Sequence, residues 1–226
     1  PEAPFHPNAQ KKLFSQISEI DGQKIISTHS PYIAATANLS QIRNFYKDNV
    51  VKCGSLDITS LEPEDVRKIT RQVINSRGEI FFSKLIVLFE GETEEQALPI
   101  FAEKYFEKTP VEMGVDFVGV GGHGGYLPFL RFAEALNIPW LIFSDGEKKA
   151  KKAVKSALKK IKKVEEINLT EFDNIFILDD LADFEKYLIN TEYVEEIKLA
   201  LKELYTDDYL ESRIKQLNGT KDKTIK

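Results

Sequence analysis

The stretch LIVLFEGETEE, Leu85–Glu95, decides the fold. Five consecutive apolar residues suit a strand covered on both faces. Glu90-Gly91 ends it, and acids then occupy the entry to ETEEQALPIFAEKYF, where negative charge favours a helix N-terminus. The same passage from apolar strand to helix recurs three times. VDFVGVGG (115–122) precedes YLPFLRFAEAL (126–136), and PWLIFSDGE (139–147) precedes KKAKKAVKSALKKIKKV (148–164). NIFIL (174–178) leads through DDLADFEKYLI (179–189), and the chain after Glu192 is helical and charged. Strands alternating with helices predict an α/β fold, a mainly parallel Rossmann-like sheet flanked by helices and followed by C-terminal helices.

Residues 1–83 have a different rhythm. AQKKLFSQISEI (9–20) has helical apolar spacing, and QKIISTHS (23–30) reads as a short buried strand. IRNFYKDNVVKC (42–53) reads as a strand or a hairpin with a turn at Lys47-Asp48-Asn49, and EPEDVRKITRQVI (62–74) as a helix. The change of rhythm places a boundary near Lys84, giving segments 1–83 and 84–226.

Composition narrows the class. A chain of 226 residues, 42% hydrophobic and 30% charged, can bury a sizeable core. The net charge of -5 exerts no general pull on nucleic acid, so a polyanion would need a local basic patch. The single cysteine, Cys53, excludes an internal disulfide and a cysteine-rich zinc site. No apolar run is long enough to span a membrane, and PEAPFHPN lacks the features of a signal peptide. The expectation is an intracellular, cytoplasmic protein without a membrane partner.

Ligands of open α/β sheets collect beyond the carboxyl ends of the strands. Here those ends carry acids: Glu90 with Glu94 one turn later, Asp145 with Glu147, then Asp179, Asp180, Asp183 and Glu185. Converging carboxylates must take up protons, pair with cations or bind metal. Hard oxygen donors suit Mg²⁺ or Mn²⁺, so one or two such ions are expected at this edge. Glu92 and Glu95 are explained by the helix N-terminus alone, and Asp179 and Asp180 by a turn.

Nine lysines lie between Lys148 and Lys163, around an apolar stripe of Ala150, Val154, Ala157, Leu158 and Ile161. A solvated face explains most of them. Lys148, Lys149, Lys151 and Lys152, nearest the acids, are candidates for DNA contact. A rival reading comes from Gly119-x-Gly121-x-x-Gly124, which matches a dinucleotide-binding pattern with Asp145 as the ribose ligand. It leaves Glu90, Glu94, Asp183 and Glu185 without a role, and a tight turn accounts for the same glycines. His123 reads as a polar loop residue.

Taken together, LIVLFEGETEE, FVGVGG and LIFSDGE resemble a Toprim (topoisomerase–primase) domain. That family places a Glu after its first strand and an Asp-x-Asp after a later one; Glu90, Asp145 and Glu147 match, with Glu147 replacing the second Asp. PEAPFHPNAQKKLF followed by IISTHSPYIAA resembles the end of an ABC-type ATPase domain, with His29 at the switch histidine. An ATPase joined to a Toprim domain is similar to OLD (overcoming lysogenization defect) family nucleases. The resemblance covers nearly the whole chain. It implies DNA cleavage with two Mg²⁺ or Mn²⁺ ions, catalysed through Glu90, Asp145 and Glu147, with Glu90, Glu94, Asp145, Glu147, Asp183 and Glu185 as metal-binding acids. It also implies a late lysine, which is either Lys221 or Lys223 or a residue beyond Lys226. DNA is the implied partner, with a homodimer as one possible assembly.

There is no G-x-x-x-x-G-K-[ST] motif. The expectation is a C-terminal fragment or truncated product of a longer protein, with residues 1–83 the remnant of its ATPase domain. ATP would serve only that parent, His29 would be vestigial, and Glu2 would not be the ATPase base. The alternatives are a non-catalytic Toprim module for assembly or DNA binding and, further off, the dinucleotide binder.

Overall fold

The computed structural model describes residues 6–75, 78–122, 125–179, 182–191, 193–204, 206, 208–209 and 212. They form two compact units, Pro1–Leu181 and Ala182–Lys226. In chain order the first unit contains α1 (Pro7–Glu19), α2 (Pro31–Ala34), β1 (Asn44–Asp48), β2 (Val50–Gly54), α3 (Pro63–Ile69) and β3 (Leu85–Phe89). It continues with α4 (Glu92–Phe106), α5 (Pro110–Met113), β4 (Val115–Gly119), α6 (Tyr126–Leu136), β5 (Trp140–Ser144), α7 (Lys148–Lys162) and β6 (Ile175–Ile177). The second unit holds α8 (Phe184–Asn190) and α9 (Val194–Leu204).

The central sheet has the order β4-β3-β5-β6, and every pairing in it is parallel. The expected mainly parallel sheet with flanking helices is therefore what forms. Leu85–Phe89 is apolar throughout because β3 lies inside the sheet; Leu88 and Phe89 are fully buried. The strand order reverses between β3 and β5. This is the switch point at which the two outgoing chains diverge and leave a crevice.

The hairpin β1–β2 forms in the register Asn44↔Gly54, with Asn49 at positive φ in its turn. The helix expected at 62–74 also forms; its second half, Thr70–Ile74, widens into a π-helical turn.

One local expectation fails. QKIISTHS is not a strand: residues 23–30 take no regular structure, and Ile25 is 93% exposed. Gly22 turns the chain at φ +108, and Lys24 Nζ donates to the carbonyls of Ser18 and Ile20 at the end of α1. No described strand lies alongside to accept the ladder that an isolated strand needs.

The two sequence rhythms share one core. Leu39, Leu56, Ile69, Val73 and Phe81 belong to the same buried cluster as Leu88, Phe132, Leu136 and Ile142. Phe81 meets Phe132 edge-on at 4.9 Å. Arg131 on α6 pairs with Asp65 on α3 at 2.5 Å, both side chains mostly buried. Asn44 Nδ2 donates to the Leu136 carbonyl at 2.7 Å, tying the hairpin to the end of α6.

Candidate active site at the carboxyl edge of the sheet

Four loops leave the carboxyl ends of the strands, and three of them carry acids. Glu90 follows β3 and Asp145 follows β5, so the two flank the switch point. Both are partly buried. The Tyr126 hydroxyl, at the start of α6, donates to Glu90 Oε1 at 3.0 Å. Tyr126 is 1% exposed, and its acidity is strongly suppressed, first by burial and then by the Glu90 charge. Ser144 and Asp145 also act on this hydroxyl. Tyr126 thus bonds Glu90 and lies within the electrostatic reach of Asp145.

Glu94 is a buried carboxylate, only 4% exposed. The first turn of α4 folds it back onto Gly91, where a Cβ would collide with its Oε2. The glycine makes room for the carboxylate, and the helix N-terminus lowers the cost of burying its charge. Glu95 reaches across towards Gly119 at the end of β4, where a Cβ would lie 3.5 Å from its Oε2.

Gly146 has a similar role after β5. A side chain there would strike the Leu178 carbonyl, and the Leu178 amide donates to the Ser144 carbonyl at 2.9 Å. The Asp145 loop is thereby pressed against the chain leaving β6, beside Asp179. Oδ1 of Asp145 is buried with no hydrogen-bond donor among the described residues, although the carboxylate interacts elsewhere. Glu147 is exposed and stands at the N-cap of α7, with Lys148 and Lys149 in the first turn.

Asp183 and Glu185 belong to the second unit. Asp183 accepts from the Lys186 amide at 2.8 Å and caps α8, and Glu185 sits in that helix's first turn. His29 is exposed, with its ring 6.1 Å from Phe82. Asp180, His123, Gly124, Lys221, Lys223 and Glu2 lie outside the described residues. Gly121 and Gly122 take positive φ, and a Cβ on Gly125 would strike the Val120 carbonyl, so the turn itself requires these three glycines.

Among the described residues no three His, Cys, Asp or Glu side chains converge tightly enough to cage a metal ion. Mg²⁺ does not demand such a cage: it keeps several waters and is held by one or two carboxylates together with substrate phosphates. Glu90 and Asp145, at the two strand ends flanking the switch point, are carboxylates of the kind such an ion takes. Tyr126 and Ser144 are the site residues that sequence reasoning missed. The only trace of Tyr126 is an amphipathic aromatic opening a helix directly after a glycine turn.

Residues 81–146 match the model of the Toprim domain of overcoming lysogenization defect protein-like proteins. That segment is an OLD-like Toprim domain. Residues 1–79 match a second model, a protein family of unknown function (DUF2813). The chain is 24% identical over 156 residues to uncharacterized protein YbjD of Escherichia coli K12. It is also 24% identical over 178 residues to endonuclease GajA of Bacillus cereus HuB5-5. These alignments take in 67% and 64% of the chain but only 27% and 25% of those relatives, so it spans about a quarter of their length. Among solved structures it is similar to the C-terminal region of the Xanthomonas campestris pv. campestris OLD protein, at 24% identity and TM-score 0.46. That match takes in 54% of this chain and 64% of the other. The C-terminal region of the Burkholderia pseudomallei OLD protein matches at 19% identity and TM-score 0.43, over 55% and 68% of the two chains. No helix among the described residues is long and apolar enough to cross a membrane.

Proposed function

We propose that this chain is the nuclease part of an OLD-type protein and hydrolyses DNA phosphodiesters at the Glu90–Asp145 edge with divalent metal. The observation that carries this reading is the placement of Glu90, bonded by the buried Tyr126 hydroxyl, and Asp145 at the two strand ends that flank the switch point of the sheet. The Toprim match and the endonuclease relative support it.

In this reading Glu90 and Asp145 hold Mg²⁺ or Mn²⁺. Glu94 and Glu147 are the further acids of the first unit available to metal, Asp183 and Glu185 are proposed as metal-binding acids of the second, and Glu90, Asp145 and Glu147 are the catalytic set. A bound divalent cation would supply charge stabilisation on the phosphate and a lowered pKa for attacking water. The protein's own contribution is positional. Tyr126 fixes one oxygen of Glu90, Gly91 admits the Glu94 carboxylate, and Gly146 sets the Asp145 loop against β6. Lys148, Lys149, Lys151 and Lys152 then meet the incoming phosphate backbone beside the acids. Residues 1–83 are proposed as the remnant of an ABC-type ATPase domain and 84–226 as the Toprim part. His29 is retained from that ATPase, and the chain alone turns over no ATP.

The test is incubation of supercoiled plasmid with the chain in EDTA, Mg²⁺ or Mn²⁺, beside Glu90→Ala. Metal-dependent nicking or linearisation that disappears in the variant is expected; cutting that survives Glu90→Ala would sink the assignment. One observation favours a second reading, a Toprim fold that binds DNA or assembles without catalysis: the absence of a three-ligand cluster among the described residues. In that reading any metal is structural or absent, and no metal-dependent cutting by the chain is expected. A dinucleotide binder would instead gain thermal stability with NAD(P).

A further inference from the structure

Two rows of side chains run along α7 with a single rhythm. Ala150, Val154, Ala157 and Ile161 form the core row; the first three are buried and Ile161 is half-buried. Lys148, Lys152, Lys155 and Lys159 repeat the same spacing of four, three and four, two residues earlier. Two residues correspond to about 200° of helical rotation, which places the lysine row opposite the core row. Lys148, Lys152 and Lys155 are exposed, and Lys159 partly so.

As a merely solvated face this row is poorly built. From Lys148 to Lys163 there is no acidic residue, so no Glu–Lys pair at helical spacing offsets the lysines' mutual repulsion. Lys148 and Lys149 stand in the first turn, where the macrodipole disfavours cations. The lysines of the last turn are different. They sit at the favourable end of the dipole, and Lys162 is held by Glu134 at 3.2 Å.

The row also has a direction. It begins directly after Asp145-Gly146-Glu147, at the acid edge. It ends at the opposite edge, because Glu134 Oε1 accepts both from Lys162 Nζ and from Nε1 of Trp140, the first residue of β5. The helix has 15 residues, and at 1.5 Å each it is about 22 Å long, the axial length of roughly six base pairs.

We infer that α7 is a rail for the phosphate backbone of double-stranded DNA, with Lys152, Lys155 and Lys159 holding the duplex to one side of the acid edge. This rests on the reading of that edge as a DNA site and extends the contact well beyond the residues beside the acids. The rail binds and does not catalyse. Each lysine adds to affinity through counterion release, so its removal shows in the salt dependence of binding.

The decisive experiment is anisotropy of a labelled duplex titrated with the full chain in EDTA over a range of salt. Wild type is compared with K152Q/K155Q/K159Q. A control, K11Q/K12Q/K104Q, removes the same charge from exposed positions on α1 and α4. The slope of log affinity against log salt is expected to flatten by about 2.7 in the α7 variant, roughly 0.9 per lysine, and to stay near wild type in the control. Lysine-to-arginine replacement at the three α7 positions should restore the slope. The melting temperature of the glutamine variant should equal or exceed that of wild type, because repulsion is relieved.

Equal slopes in wild type and the α7 variant would overturn the rail, as would equal flattening in the control. Failure of wild type to bind duplex, or α7-dependent binding to phosphatidylserine vesicles with none to duplex, would overturn it too. The readout is separate from cleavage. A chain that binds through α7 yet cuts nothing keeps the rail and sinks the nuclease; Glu90-dependent cutting with unchanged slopes does the reverse.

Discussion

Tyr126 is the residue on which the acid edge turns. Its hydroxyl is buried and donates to a carboxylate, so Tyr126→Phe should cost about 1.5–3 kcal/mol by urea unfolding at neutral pH. The sign of the pH dependence follows from the raised pKa. The folded state holds the phenolic proton more tightly than the unfolded chain, so the stabilisation is complete below the ordinary value of 10.0 and is lost as pH rises above it. The gap between wild type and Tyr126→Phe should therefore narrow above that pH; a gap that widens would contradict the assignment. Gly146→Ala forces a Cβ onto the Leu178 carbonyl and should destabilise by about 1–3 kcal/mol in the same assay. The acids Glu90 and Asp145 were legible in the sequence because each ends an apolar strand. Tyr126 and Ser144 were not, because their roles depend on which strand end lies beside which loop.

At the scale of the element, α7 was almost fully readable. Its apolar positions recur at helical spacing, and the residues expected to face the core do so. Leu158 is fully buried, and Leu158→Ala should cost about 2–5 kcal/mol in thermal or chemical denaturation. The central strands were equally plain, since full burial leaves an uninterrupted apolar signature. The segment 23–30 misled for a physical reason. Ile25-Ile26 has strand character, but a strand is a relation between two chains of hydrogen bonds, and composition alone does not supply the second. The pair Arg131–Asp65 joins α6 to α3 across 66 residues of sequence and was invisible for the same reason. Asp65→Asn should cost roughly 1–3 kcal/mol, between an exposed and a buried pair. A double-mutant cycle with Arg131→Met would show whether the two couple.

For the whole molecule, the change of rhythm near Lys84 is a seam in the sequence and not in the packing of the first unit. Ile69, Val73 and Phe81 on one side are buried with Phe132 and Leu136 on the other. A chain beginning at Lys84 should therefore expose that surface. The expected outcome is enhanced binding of a hydrophobic dye and loss of near-ultraviolet dichroism relative to the full chain; a native-like spectrum would show that the later segment closes its core unaided. The parallel sheet and its switch point were foreseeable from strand–helix alternation, whereas a core shared across the seam was not, because periodicity reports which face is apolar and not what covers it.

The grip on α6 has a mechanical consequence. The hairpin holds its last residue, through Asn44 and through the close approach of Gly54 to the Leu136 backbone, while its first residue bonds Glu90. Eleven residues of helix, about 16 Å, lie between, and a packed helix moves as a rod. One helix thus carries the hairpin's contacts at one end and the bond to Glu90 at the other. Asn44→Ala, which frees the Leu136 end, is expected to alter divalent-metal affinity at the acid edge if the rod transmits the shift, and calorimetry with Mn²⁺ checks it.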